Sequence, residues 1–271
     1  MPSDNRLIGW GLDPSTRIQL RLERTREALR RRAYELAATE AEELLDLQPD
    51  HVDGLWMLAE ATMELGDYVT AQQAYQSLVR HGQGRPAVLL GLALASFECA
   101  DLEACERAAR RVAESDPDFG AAHYFIGLCV QRSATLAEAM PHFELAHRMG
   151  PLDFQVPVEV GASDMQLVLA HTFEALPPDL QAFWRAVQIR IEPFPGVKEL
   201  ASAVPPLSPR VPALADGDPA TSDNPTLLRV FSGNLAHLDG VEAMVDHLVQ
   251  TLAHLASDWL DPENEEDAPE S

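Results

Sequence analysis

Lysine is almost missing from this chain: Lys198 is the only one, so nearly all of its positive charge is arginine. Lys and Arg together number 20 against 43 Asp and Glu, a formal net charge of -23 at pH 7. That shortage of positive charge argues against general binding to nucleic acid or anionic membrane, since phosphate binding needs a cationic surface. The preference for arginine itself reads as a genomic compositional bias. Cysteine is scarce too. Cys99, Cys105 and Cys129 are odd in number and lack CxxC spacing, which suits buried thiols in a reducing compartment better than a disulfide framework or a zinc knuckle. No basic-apolar-small leader pattern opens the chain, and no apolar run approaches membrane-spanning length, so a soluble, cytoplasmic protein is expected. No GxSxG and no glycine-rich phosphate loop is present, and nothing supplies a substitute nucleophile. At 271 residues there is room for two domains, each with its own core.

What the chain does have is a period of 34 residues between Ile18 and Pro151. Pro49, Pro117 and Pro151 keep one phase, with Gln83 in the missing slot. In the same phase a small residue falls at Ala37, Ala71, Cys105 and Ala139, followed four places on by Tyr75 in the second unit and Phe143 in the fourth. A period of this length marks stacked helix-turn-helix units, none of which buries its apolar face alone. Small residues are needed where helices cross closely, and proline where the second helix must stop. The units read as residues 52–65 and 71–79, then 86–97 and 104–112, then 121–130 and 136–148, behind a lead-in over residues 1–17 with Leu7, Ile8 and Trp10. An arginine-dense helix over 17–32 opens the array. Its basic face is expected to be solvated and partnered by Glu40, Glu42, Glu43 and Asp46 on the next helix.

These residues resemble the tetratricopeptide repeat (TPR) family. The likeness rests on Leu58-Ala59, Gly66-Asp67-Tyr68, Ala71 and Tyr75, and again on Ile126-Gly127, Ala139, Phe143, Ala146 and Pro151. The family tryptophan near the start of each unit is replaced by Leu55, Leu89 and His123. The resemblance implies a concave groove lined by the first helix of each unit and used to hold a peptide or a neighbouring domain. Trp56, Glu60 and Met63, then Leu90, Leu94 and Phe97, then Tyr124 and Leu128 are expected to face it. Such a groove suits an apolar segment or amphipathic helix. Packing between helices alone also accounts for this spacing at any one of these positions.

After Pro151 the pattern changes. Residues 163–176 read as an amphipathic helix that Ser163 and Asp164 can cap, ended by Pro177-Pro178. A short helix over 179–186 precedes a half-buried strand over 187–193. Residues 194–225 read as mostly loop, 227–232 as a second strand, and 241–259 as a long helix before a solvated acidic tail over 261–271.

This second half resembles the small bacterial zincin-like metallopeptidase domains. The likeness rests on Glu174-Ala175-Leu176-Pro177-Pro178, Pro205-Pro206-Leu207-Ser208-Pro209, Ala213-Leu214-Ala215-Asp216-Gly217 and Gly233-Asn234-Leu235, before the final helix. In that family the final helix carries HExxH, whose two histidines hold zinc while the glutamate takes the proton from bound water. Here His254 stands at the first ligand position, Leu255 replaces the glutamate and Asp258 the second histidine. A general base contributes about 10²–10⁴-fold, and leucine cannot move protons.

The sequence therefore predicts an all-α helical-repeat solenoid over 18–151, TPR-like, followed by a small α+β zincin-like domain over 160–260. The function expected is protein–protein interaction, with a protein or peptide partner or with the second domain docked in the groove. No catalytic residue, metal or cofactor is expected. The competing reading is a metallopeptidase with an altered zinc site built from His254, Asp258 and Glu263 or Glu265.

Overall fold

The computed structural model describes residues 13–222 and 224–260. The lead-in residues Leu7, Ile8 and Trp10 and the acidic tail, with Glu263 and Glu265, lie outside them.

Eight helices form four antiparallel pairs: α1 (Pro14–Arg30) with α2 (Tyr34–Leu47), α3 (Val52–Leu65) with α4 (Tyr68–Arg80), α5 (Pro86–Glu98) with α6 (Leu102–Ser115), and α7 (Gly120–Ser133) with α8 (Leu136–Met149). Each helix packs on its chain neighbours, so the array is a helical-repeat solenoid. The small residues that keep phase, Ala37, Ala71, Cys105 and Ala139, are all fully buried. The helices approach so closely that a side chain at Gly127 would meet the Phe143 ring at 2.8 Å. A further device keeps the same phase. Asp67, Asp101 and Thr135 are the N-caps of α4, α6 and α8, each accepting from a backbone N–H three residues on. The equivalent Ala33 ahead of α2 has no capping side chain. Between α3 and α4 the reversal needs a left-handed residue, and Gly66 supplies it at φ +77°.

The arginine-dense helix begins at Pro14, where the Asp13 side chain caps it. Arg21 pairs with Glu40 at 2.5 Å and with Glu43, and Arg24 reaches Glu40 at 3.6 Å. Glu40 is buried. The basic face is thus partly turned inward onto α2 rather than wholly solvated.

The second half is α+β. It runs α9 (Ala162–Ala175), α10 (Pro178–Trp184), β1 (Gln188–Glu192), α11 (Val197–Ser202), β2 (Ala213–Asp216), β3 (Leu227–Phe231), α12 (Ser232–Leu235) and α13 (Gly240–Leu260). The sheet order is β1-β3-β2, with β1 parallel and β2 antiparallel to β3. Leu228 and Val230 point from β3 into a core shared with Met165, Val168, Leu248 and Leu252. Trp184 is buried there and donates its indole N–H to the Leu252 carbonyl at 3.3 Å. On the other face Arg229 is held by Asp216 at 3.0 Å and by Glu199.

Three sequence expectations need correction. The stretch read as loop contains α11 and β2. Strand β1 is not half-buried: Ile189 and Ile191 are 37% and 40% exposed, because α13 packs mainly on α9 and β2 while β1 leans mainly on β3 and α12. Gly161 rather than Ser163 caps α9, and the Asp164 carboxylate accepts from the Gly161 N–H at 3.1 Å.

Gly91 of α5 tests how closely the array is packed, since any side chain there would run into the Tyr75 ring. Gly91→Leu is expected to lower stability by about 1–3 kcal/mol, the usual cost of overpacking, despite leucine's better helix propensity. Urea unfolding checks this; an unchanged midpoint would mean that the ring is free to move.

Candidate partner-binding groove

The first helices of the pairs, α1, α3, α5 and α7, lie side by side. Of the eight residues expected to face a groove there, the structure brings four to one cavity. Glu60 and Met63 from α3 and Leu90 and Leu94 from α5 open onto a hollow of about 450 Å³. Leu29 and Tyr34 border it from the first pair, and Ala121 and Phe125 from the fourth. Its floor is apolar, with Glu60 and Glu64 as its acidic groups. Burial holds the Glu60 carboxyl above the usual carboxylate range, opposed by a Trp56 hydrogen bond and the charge of Arg85. Trp56 stands beside the hollow, edge-on to Tyr75 at 6.1 Å, with the Arg85 guanidinium 4.7 Å above its ring.

The other three residues lie under the C-terminal half. Phe97 is fully buried, with the guanidinium groups of Arg132 and Arg210 at 5.1 and 5.2 Å from its ring. Tyr124 and Leu128 face a second cavity of about 400 Å³ whose other wall is Arg210, Val211, Asn234, His237 and His247. The array and the second domain are therefore in contact, a relation that depends on residues far apart in the chain.

Arg132, at the end of α7, makes that junction. It donates to the Leu128 carbonyl at 3.0 Å within the array. Across the junction it donates to the Pro209 carbonyl at 3.0 Å and to Asn234 Oδ1 at 2.6 Å. Its guanidinium also lies 4.7 Å from the Phe194 ring, so an aromatic from each half sits within cation–π range. Asn234 in turn donates to the Pro209 and Val211 carbonyls at 2.8 and 2.7 Å, fixing the loop that Arg132 grips. His237 adds a second tie through Nε2, which donates to Gln131 Oε1 at 2.9 Å, and its ring packs on Tyr124 and Phe143. Burial first, then the charges of Arg132 and Arg210, push His237 down to about 4. Sequence reasoning missed both residues, because neither belongs to a motif.

On α13, His254 and Asp258 are exposed and one helical turn apart, while Leu255 leans on the domain core. Among the described residues no group of three or more His, Cys, Asp or Glu gathers to hold a metal ion. Cys99, Cys105 and Cys129 are free and buried in the array. Among the described residues no helix is long and apolar enough to cross a membrane.

No protein-family model matches the chain, and no curated protein matches it. Solved structures do. A MamA protein is 17% identical with a TM-score of 0.47, over 51% of this chain and 75% of that one. A MamA from Desulfovibrio magneticus RS-1 is 19% identical at 0.44, over 52% of this chain and 77% of that one. YrrB, described as a TPR protein with an unusual peptide-binding site, is 14% identical at 0.44, over 48% and 68%.

His237 gives the junction a pH dependence whose sign follows from its lowered value. The unfolded chain takes up a proton near 6.5 that the folded chain refuses until about 4. Its contribution is complete above 6.5 and is lost as pH falls through that window, by on the order of a few kcal/mol. Amide exchange in residues 207–212 and 234–238 should therefore quicken between pH 6.5 and 4.5 relative to the array core. His237→Gln should flatten that difference; an unaltered profile in the variant would assign the effect elsewhere.

Proposed function

We propose that this chain is an interaction scaffold: a TPR-like array that holds an apolar peptide segment or amphipathic helix in the open half of its groove, while its own second domain covers the other half. One observation carries the reading. Met63, Leu90 and Leu94 remain partly exposed around a hollow of about 450 Å³, whereas the corresponding surface at Phe97 and Leu128 is buried. A partner helix with apolar residues at i, i+3 and i+4 suits such a surface, and the flanking Glu60 and Glu64 favour a basic residue beside that stripe. The buried free thiols support a reducing, cytoplasmic setting.

The second domain reads best as a zincin-like fold that has lost its catalytic residues. Its segment order and a mixed sheet backed by α13 support this, and Leu255 takes the glutamate's place. Its role here is recognition and closure of the groove rather than cleavage. The metallopeptidase alternative draws on His254 and Asp258, exposed one turn apart. These are two of the three donors that a catalytic zinc takes from the protein; the expected third, Glu263 or Glu265, lies outside the described residues, so no step is derived through a metal. Zinc-dependent peptide hydrolysis by the purified chain, lost in His254→Ala, would establish that alternative.

A display library of amphipathic helical peptides, screened against the full chain, tests the groove. Leu94→Glu is expected to weaken the selected peptides by about tenfold or more, the range for an anchor contact, with an unchanged helical circular-dichroism spectrum. Tyr124→Ala, under the second domain, should leave them bound. Equal affinity for Leu94→Glu and the parent chain would sink the proposal.

A further inference from the structure

Each half of the chain has its own hydrophobic core, and no buried residue belongs to both. The space between the halves is loosely filled. A cavity of about 760 Å³ separates Leu136 and Met140 of α8 from Phe194 and Gly233. Another of about 400 Å³ separates Tyr124 and Leu128 of α7 from Val211 and Pro212, and Arg132 borders both. At the junction Arg132 Nε and His237 Nδ1 are buried without a hydrogen-bond partner, a cost that parting the halves relieves by admitting water. Arg210 stands in a turn closed by the Val211 N–H, which donates to the Ser208 carbonyl at 3.3 Å. Its side chain is half-exposed and meets the buried Glu98 at 3.6 Å, a long ion pair. The covalent tie is narrow too. Val156 packs on the array core and Val160 on the other, so the chain crosses between the two bodies within residues 156–160. Two cores joined by a small polar contact are ordinarily free to move against each other.

We propose that the second domain is a displaceable lid, and that the partner displacing it is an amphipathic helix with an arginine or lysine that takes the place of Arg210 over Glu98. This occupant rests on the groove reading; the lid itself does not. Opening uncovers Tyr124 and Leu128 and lifts Arg210 from the Phe97 ring. Tyr124 and Leu128 lie one turn along α7 from Ala121 and Phe125, which border the hollow of Leu90 and Leu94. Packed helices lie about 10 Å apart, so α7 adds about two turns to the helix that can be held. Glu98 decides the partner's charge. Among the described residues Arg210 is its one ion-pair partner, and a buried carboxylate left alone is strongly unfavourable. A partner that covers Glu98 again must therefore bring a cation.

The full chain carrying Arg210→Glu and Asn234→Ala provides the test. Repulsion from Glu98 and loss of the grip on the Pro209 and Val211 carbonyls are expected to open the lid. Small-angle X-ray scattering should show a larger radius of gyration, while amide exchange in β3 and α13 stays slow. Arg210→Glu alone provides a second variant should exchange in β3 quicken. An unchanged radius of gyration in both overturns the lid. Helical peptides of about four turns with one arginine, selected from a display library on the opened chain, are the probes for the partner. They are expected to bind it about tenfold or more tighter than the parent chain. The gain should vanish with Tyr124→Ala, or when the peptide arginine is replaced by glutamine. No gain, or one that survives either replacement, overturns the choice of partner. Peptides of the opened chain that are indifferent to Leu94→Glu would remove the groove reading and leave the lid standing.

Discussion

The guanidinium of Arg132 anchors the junction between the two halves of this molecule. Arg132 has an aromatic ring of the array within cation–π range and one of the second domain likewise, and it gives hydrogen bonds to acceptors in both halves. Only a flat, weakly hydrated cation with several donors fits such a place; an ammonium would keep its water. Its acceptors are carbonyls and an amide, not a carboxylate. Cation–π contacts on desolvated rings contribute up to about 2 kcal/mol each, offsetting part of the burial cost. The cover over Phe97 and the burial of His237 both follow from this junction.

Arginine is used inside the structure elsewhere as well. Arg21 and Arg24 tie α1 to Glu40 of α2, and Arg229 ties β3 to Asp216 and Glu199. Each replaces what would be a solvated cation by an internal brace. Each brace withdraws carboxylates together with its guanidinium, so the excess of Asp and Glu over Lys and Arg remains, a field that repels phosphate backbones.

The repeat was legible because its signals are local and recur. Buried alanines at a fixed interval, prolines after alternate helices and a glycine in the second turn each have one structural meaning. The caps Asp67, Asp101 and Thr135 keep the same interval but were not read as caps from the sequence, and the first unit lacks one at Ala33. Strand β2 was not legible, since Ala213-Leu214-Ala215-Asp216 has little strand propensity and is ordered by pairing with β3. Nor was the burial of Phe97 and Leu128. Positions such as Phe97 and Leu128 carry the same helical spacing as Leu90 and Leu94. What separates them is contact with residues much further along the chain, Arg210 over the Phe97 ring and the wall of Val211 and His237 facing Leu128, and no periodicity encodes that.

The outer side of β1 has a consequence for crowded solutions. Among the described residues this strand pairs only with β3, so its other margin keeps unpaired peptide groups beside Ile189 and Ile191. Arg190 and Glu192 interrupt the oily row, as guarding charges do on natural sheet margins. Mutual repulsion between copies of so anionic a chain does the rest, holding margins apart at low ionic strength. Added electrolyte shortens that repulsion to about 3 Å at 1 M, and from there the short strand and its two guarding charges are what keep neighbouring molecules from zipping together.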